Sequence, residues 1–109
     1  MGEFSSEKGK RFEREAAAKL REKGLPGMRT AQILGKGGLA DVIGLPGYHI
    51  ECKHHERMRL YEWMKQAIRD SEHDGNIPVI IHKQNRKPIL VTLLLTDFLD
   101  MVNDKNSMQ

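Results

Sequence analysis

Cysteine is nearly absent: Cys52 stands alone, so no internal disulfide framework can form and a reducing, cytoplasmic setting is expected. Long apolar runs are missing too. The longest, PILVTLLL at residues 88–95, falls well short of the roughly 18 residues of a membrane span and is expected to be a buried strand. The opening MGEFSSEKGK has no apolar stretch of the kind a secretory signal needs. Repeats and low-complexity tracts are lacking, and 109 residues suffice for one domain with a modest core, not two. The expected unit spans 1–109, with its core at about 5–102 and a frayed tail at 103–109.

A strong charge imbalance is also missing. With 18 Lys and Arg against 15 Asp and Glu, the net charge of +3 permits nucleic-acid binding without diagnosing it. Position says more than sign. Basic residues crowd KGKRFER (8–14), KHHERMR (53–59) and HKQNRK (82–87), whereas Asp97, Asp100 and Asp104 cluster near the end, a distribution that can give one positive face.

From Ser5 to Lys23 there is no proline and a rich supply of Glu, Lys, Arg and Ala before the stop at KGLPG, which predicts a first helix. At ~100° per residue, Gly9, Phe12, Glu13, Ala16, Ala17 and Leu20 share one face, so Glu13 is an acid inside an apolar stripe while Glu15 points elsewhere. MRTAQIL (28–34) is expected to be a first strand and the glycine-rich GKGG (35–38) a loop. ADVIGL and YHIECK, joined through a Pro-Gly turn, predict a hairpin. Leu60, Trp63, Met64, Ala67, Ile68 and Ser71 keep helical spacing and predict a second helix over about 59–73, with Trp63 a core residue. IPVIIHK and PILVTLLL are further strand candidates, and Thr96 is expected to cap a short last helix, TDFLDMVND. The element order predicts an α/β (α+β) fold: a central mixed sheet flanked by helices.

Chemistry concentrates in the hairpin. Alternate strand residues share a face, so Tyr48, Ile50 and Cys52 point one way and His49, Glu51 and Lys53 the other. Glu51 and Lys53 then stand roughly 6–7 Å apart, and Asp41 sits beside them if the hairpin closes through Leu-Pro-Gly. Two neighbouring carboxylates repel unless a cation shares them. Magnesium suits the place: it prefers oxygen ligands, keeps several waters and needs one or two carboxylates, here Asp41 and Glu51 with the Cys52 backbone carbonyl. A retained water is then the nucleophile and Lys53 offsets charge growing on a phosphate, which is the chemistry of phosphodiester hydrolysis.

Asp41, nine residues, then Glu51-Cys52-Lys53, following a helix that carries an acid, resembles the PD-(D/E)XK nuclease superfamily. KGKRFEREAAAKLREKG is similar to the first helix of its archaeal-type and phage Holliday junction resolvases, where a glycine precedes an acid by four residues. YEWMKQA (61–67) and IIHK (80–83) are also similar to small phage members, so the likeness runs from about Lys8 to Leu99; Ala40 replaces the proline of the motif name. The resemblance implies a restriction-endonuclease-like fold and catalytic residues Glu13, Asp41, Glu51 and Lys53. It makes Glu13 a further ligand candidate beside the metal ligands Asp41 and Glu51, with Mg²⁺ as cofactor and Mn²⁺ as a substitute. It further implies a homodimer acting on branched, four-way DNA in the cytoplasm, that of the host if a phage encodes it. Gln66 would lie near the active site or be a solvated helix-edge residue.

Lys8, Lys10, Arg11, Lys36, His54, His55, Arg57, Lys83 and Arg86 are the candidate DNA contacts, with a solvated loop as the alternative for His54, His55 and Arg57. Two other motifs fail on geometry. His49, Cys52, His54 and His55 invite zinc, but strand alternation turns Cys52 away from His49. GKGGLA lacks the Gly-Lys-Ser/Thr ending and the following helix of a nucleotide-binding loop. The alternative functions are a restriction- or flap-type nuclease of the same fold, or a catalytically idle DNA-binding module.

Overall fold

The computed structural model describes the backbone of residues 2–33 and 39–107 and the side chains of 7–31 and 39–105. The GKGG segment and Lys36 lie outside the described residues.

Helix α1 spans Gly2–Glu22. Two very short strands, β1 (Met28–Arg29) and β2 (Val42–Ile43), flank a single helical turn, α2 (Thr30–Ile33). Strand β3 (Tyr48–His54), helix α3 (Leu60–Ser71) and strand β4 (Ile77–Lys83) follow, then β5 (Leu90–Thr92) and α4 (Leu95–Ser107). The strands lie in the order β1-β2-β3-β4-β5, and only β3 and β4 are parallel. A parallel pair needs a crossover, and α3 supplies it. None of the described helices is long and apolar enough to cross a membrane.

The sheet is covered on both faces. On one, Ile50 and Val42 pack against Ala16 and Ala17 of α1, with Leu20, Cys52 and Ile81 around them. On the other, Ile80 packs against Trp63, Met64 and Ala67 of α3. The parallel register sets Cys52 beside Ile81 and Glu51 beside Ile80, so the alternation of β3 continues across β4. Ile50 and Ile80 are 0 % exposed, each contributing about 1.5–3 kcal/mol of burial free energy from opposite faces.

Two glycines fix the geometry near the site. Gly44 has φ +113°, and a Cβ there would collide with the Pro26 carbonyl, so the hairpin turn folds tightly against the segment entering β1. Gly75, φ +71°, closes the turn after α3 by donating its N–H to the Ser71 carbonyl at 2.8 Å.

The predicted hairpin and second helix are present, and three expectations change. Among the described residues of MRTAQIL, Met28 and Arg29 are extended, because β2 offers just two residues to pair with and Thr30 turns the chain into α2. PILVTLLL is not a buried strand. Only Leu90–Thr92 pair, as an edge strand, and Leu90, Val91 and Leu95 are 56 %, 60 % and 69 % exposed. The last helix begins at Leu95, ahead of the expected Thr96 cap, and spans Leu95–Ser107. Phe98 and Leu99 on this helix are also exposed.

Candidate active site

Val42 pairs with Ile50 in the antiparallel β2-β3 register, and Asp41, the residue just before β2, sits against the Ile50–Cys52 stretch of β3. Hydrogen bonds hold it there. The Asp41 N–H donates to the Ile50 carbonyl at 2.8 Å, and the Cys52 N–H donates to Asp41 Oδ2 at 2.8 Å. Asp41 and Glu51 are 3 % and 5 % exposed, two acids held deep beside each other.

Both face an open cleft of about 350 Å³, whose lining includes Glu13 and Gly9 of α1, Lys53, His54 and His55 of β3 and its exit, and Gln66 and Asp70 of α3. The fold therefore gathers Glu13, Asp41, Glu51, Lys53 and Gln66, from two helices and the hairpin, around one space. Glu13 brings a partner with it. Arg29 of β1 donates from Nε to Glu13 Oε1 at 2.9 Å, and both side chains are largely buried.

Glu51 is tethered through His49, which is 0 % exposed. His49 Nε2 donates to Glu51 Oε2 and Nδ1 to Asp74 Oδ2, each at 2.7 Å. Burial works to depress the His49 pKa, but the bonds to Asp74 and Glu51 outweigh it and leave it raised. Asp74 shows the complement: burial works to raise it, and the His49 and Asn76 hydrogen bonds bring it below the usual carboxylate value.

The candidate DNA contacts divide. Lys8, His54 and His55 line the cleft. Burial above all, with nearby Lys8 and Lys83, lowers the pKa of His54, whose Nε2 donates to Asn85 Oδ1 at 2.9 Å. Burial, then Lys53 and Lys8, lowers that of His55. Arg11 and Arg57 are exposed, as is Arg86 in the β4-β5 turn. Lys10 is paired with Glu7 at 3.8 Å, and Lys83 lies by a separate shallow cleft with Lys19 and Lys87. Trp63 is core, 8 % exposed, its ring near those of His55 and His82.

Among the described residues no group of three or more His, Cys, Asp or Glu is placed to hold a metal ion by itself. A zinc site is further opposed because both His49 nitrogens are engaged by carboxylates. The donor set suits a hard divalent ion with several waters: two adjacent carboxylates at the wall of an open, solvent-reaching cleft.

Sequence reading missed Arg29, Asp70 and Asp74. Asp70 was within reach, since Gln66 and Asp70 are four residues apart on one helix face. Strand alternation puts His49 on the Glu51 face, but nothing local in the sequence points to its bond with Asp74.

An acid at the lip of one strand, a Glu-x-Lys on the next and a helix acid lining the same cleft, all on a mixed sheet between helices, define a PD-(D/E)XK-type nuclease. The chain belongs to the family described as "Phage putative PDDEXK endonuclease", which matches residues 4–109. No curated protein matches the sequence. Among solved structures the fold is similar to Hjc of Archaeoglobus fulgidus, a Holliday junction resolvase from an archaeal hyperthermophile. The TM-score is 0.60 at 21 % identity, over 79 % of this chain and 72 % of that one. PD-(D/E)XK nucleases generally use divalent metal ions.

Proposed function

We propose that this endonuclease is a Mg²⁺-dependent DNA enzyme, with Mn²⁺ as a substitute, that nicks four-way junctions as a homodimer. The observation that carries the reading is the meeting of Asp41, Glu51 and Lys53 in one cleft, with Asp41 accepting the N–H of Cys52 between the other two. Asp41, Glu51 and the Cys52 carbonyl would hold the ion, and Glu13, fixed by Arg29, is the further candidate. When bound, such an ion polarises the scissile phosphate and supplies a water of lowered pKa. Lys53 orients the attacking water and offsets negative charge developing on the phosphate. Lys8 and the exposed Arg57 would contact the DNA backbone.

The likeness to Hjc supports the junction as substrate, and a two-fold junction calls for two matched sites in a C2 dimer. The exposed apolar surface of β5 and α4 supports a second copy as its occupant, since a patch of this kind on a small chain marks an interaction face. The test is cleavage of a synthetic four-way junction, a linear duplex and a flap, with and without Mg²⁺. Paired, Mg²⁺-dependent nicks in the junction are expected. Equal cutting of all three would remove the junction preference, and no cutting of any would remove the enzyme reading.

A further inference from the structure

Glu51 does not set its own orientation. A glutamate loses several rotamers when fixed, and an unrestrained one would sample them in a cleft that reaches solvent. Here the carboxylate is held from behind. His49, two residues earlier on the same strand face, is fully enclosed and meets Glu51 Oε2 at 2.7 Å, while its other nitrogen meets Asp74 Oδ2 at 2.7 Å. Asp74 is fixed in turn: its Oδ1 accepts the Asn76 N–H at 2.9 Å in the turn that Gly75 closes. That turn ends the crossover helix and leads into β4, where the Ile77 N–H donates to the Gly47 carbonyl at 2.9 Å, back at the hairpin. The chain of bonds thus runs from the crossover turn, through one buried ring, to the motif glutamate.

We propose that His49 and Asp74 are positioning residues: Asp74 braces the His49 ring, and the ring holds the Glu51 carboxylate in the orientation from which it receives a divalent ion. The proposal rests on the reading of Glu51 as a metal-holding carboxylate. Its physical basis is that groups hydrogen-bonded to a metal's ligands set their orientation, and losing one typically costs about 10–100-fold in affinity or activity. A ring present only to satisfy a polar gap under α3 would matter for folding and leave the ion's affinity alone.

The experiment measures Mn²⁺ binding to the full chain by calorimetry without DNA, beside thermal melting and the Mg²⁺ dependence of cleavage. The variants are His49→Ala, His49→Gln, Asp74→Asn and, as a control, Thr92→Val. Thr92, two strands over from Glu51, shares a 2.8 Å hydrogen bond with His82 on the β4-β5 pair, so its loss perturbs a similar part-buried histidine bond that does not involve Glu51. Asp74 is about one-third exposed, so Asp74→Asn stays folded even if the His49 variants do not. Expected are Mn²⁺ binding weakened about 10-fold in Asp74→Asn and about 10–100-fold in His49→Ala. His49→Gln, whose amide still donates to Glu51, falls between wild type and His49→Ala, and Thr92→Val binds as wild type. The Mg²⁺ concentration for half-maximal cleavage rises by the same factors, with cleavage at saturating Mg²⁺ largely restored. Wild-type Mn²⁺ affinity in a folded Asp74→Asn protein overturns the positioning role and leaves the nuclease reading intact. Wild-type protein that neither binds Mn²⁺ nor cuts DNA overturns both.

Discussion

The Cys52 N–H donates to Asp41 Oδ2 at 2.8 Å, so a main-chain group between the two motif residues Glu51 and Lys53 holds the acid of the neighbouring strand. The bond separates two roles of Asp41. Asp41→Asn keeps an oxygen to accept from Cys52 and removes the charge. It should melt within a degree or two of wild type and lose at least about 100-fold in cleavage, the scale of losing one electrostatic stabiliser. Asp41→Ala also strands a buried N–H and should cost a further 1–3 kcal/mol or so of stability. Near-normal cleavage by Asp41→Asn would show that the carboxylate is structural.

Arg29 and Glu13 form a largely buried ion pair. Removing one partner of such a pair leaves an uncompensated charge, so Arg29→Ala should destabilise the fold by about 3–5 kcal/mol. Replacing both, as in Arg29→Met with Glu13→Gln, should recover much of that loss while cleavage stays impaired. Denaturant unfolding of Arg29→Met, Glu13→Gln and the double variant gives the coupling. Additive losses would mean that the two residues act independently.

How much of this was legible in the sequence depends on the reach of each signal. Helical spacing alone separated Glu13 from Glu15, and strand alternation with a Pro-Gly turn alone set Asp41, Glu51 and Lys53 together, because both signals are periodic and local. Arg29 and Asp74 were invisible for the opposite reason. They meet Glu13 and His49 across 16 and 25 residues, through strand pairing and a crossover that no local pattern encodes. The run at 88–95 misled because hydrophobicity reports that a surface is to be covered, not by what. Leu90, Val91 and Leu95 are apolar without being buried within this chain.

Gly9 stands in α1 with no atom of the described residues within 4 Å of where its Cβ would be, and it lines the cleft between Lys8 and Glu13. Packing among the described residues therefore does not require a glycine there. Gly9→Ala should stabilise the helix by about 0.5–1 kcal/mol. If the open space serves DNA, cleavage and junction binding should fall even as the melting temperature rises. A stabler variant with undiminished cleavage would show that the substrate does not use the space.

His82 carries a different prediction. Burial lowers its pKa, its Nδ1 has no hydrogen-bond partner among the described residues, and its Nε2 is engaged with Thr92. A histidine whose folded pKa lies below its unfolded value of about 6.5 favours folding fully above that pH, and the contribution is lost as pH falls from there toward the folded pKa. His49, raised, acts the other way: its contribution is complete below about 6.5 and is lost as pH rises through the folded value. His82→Gln isolates the first effect, since His49 is common to both proteins. Melting temperatures at pH 5, 6, 7 and 8 (roughly bracketing 6.5) should fall less steeply on the acid side in His82→Gln than in wild type. Parallel curves would mean that His82 titrates alike in the folded and unfolded chain.

The last prediction concerns the face that the chain leaves uncovered. Leu95 and Phe98, 69 % and 44 % exposed, lie one helical turn apart at the start of α4, beside the edge strand that carries Val91. If a second copy covers this surface, wild type should sediment as a dimer at micromolar concentration, and Leu95→Glu with Phe98→Glu should sediment as a monomer. Because those side chains pack on little within their own chain, the monomer should keep its circular dichroism spectrum and its Mn²⁺ binding. Its cutting should change in kind: single nicks at a junction in place of two matched ones, because Glu13, Asp41, Glu51 and Lys53 all line a cleft of one chain. A wild-type monomer that still makes paired nicks would dismiss this surface as the dimer face. A double variant that remains dimeric would move the interface elsewhere on the molecule.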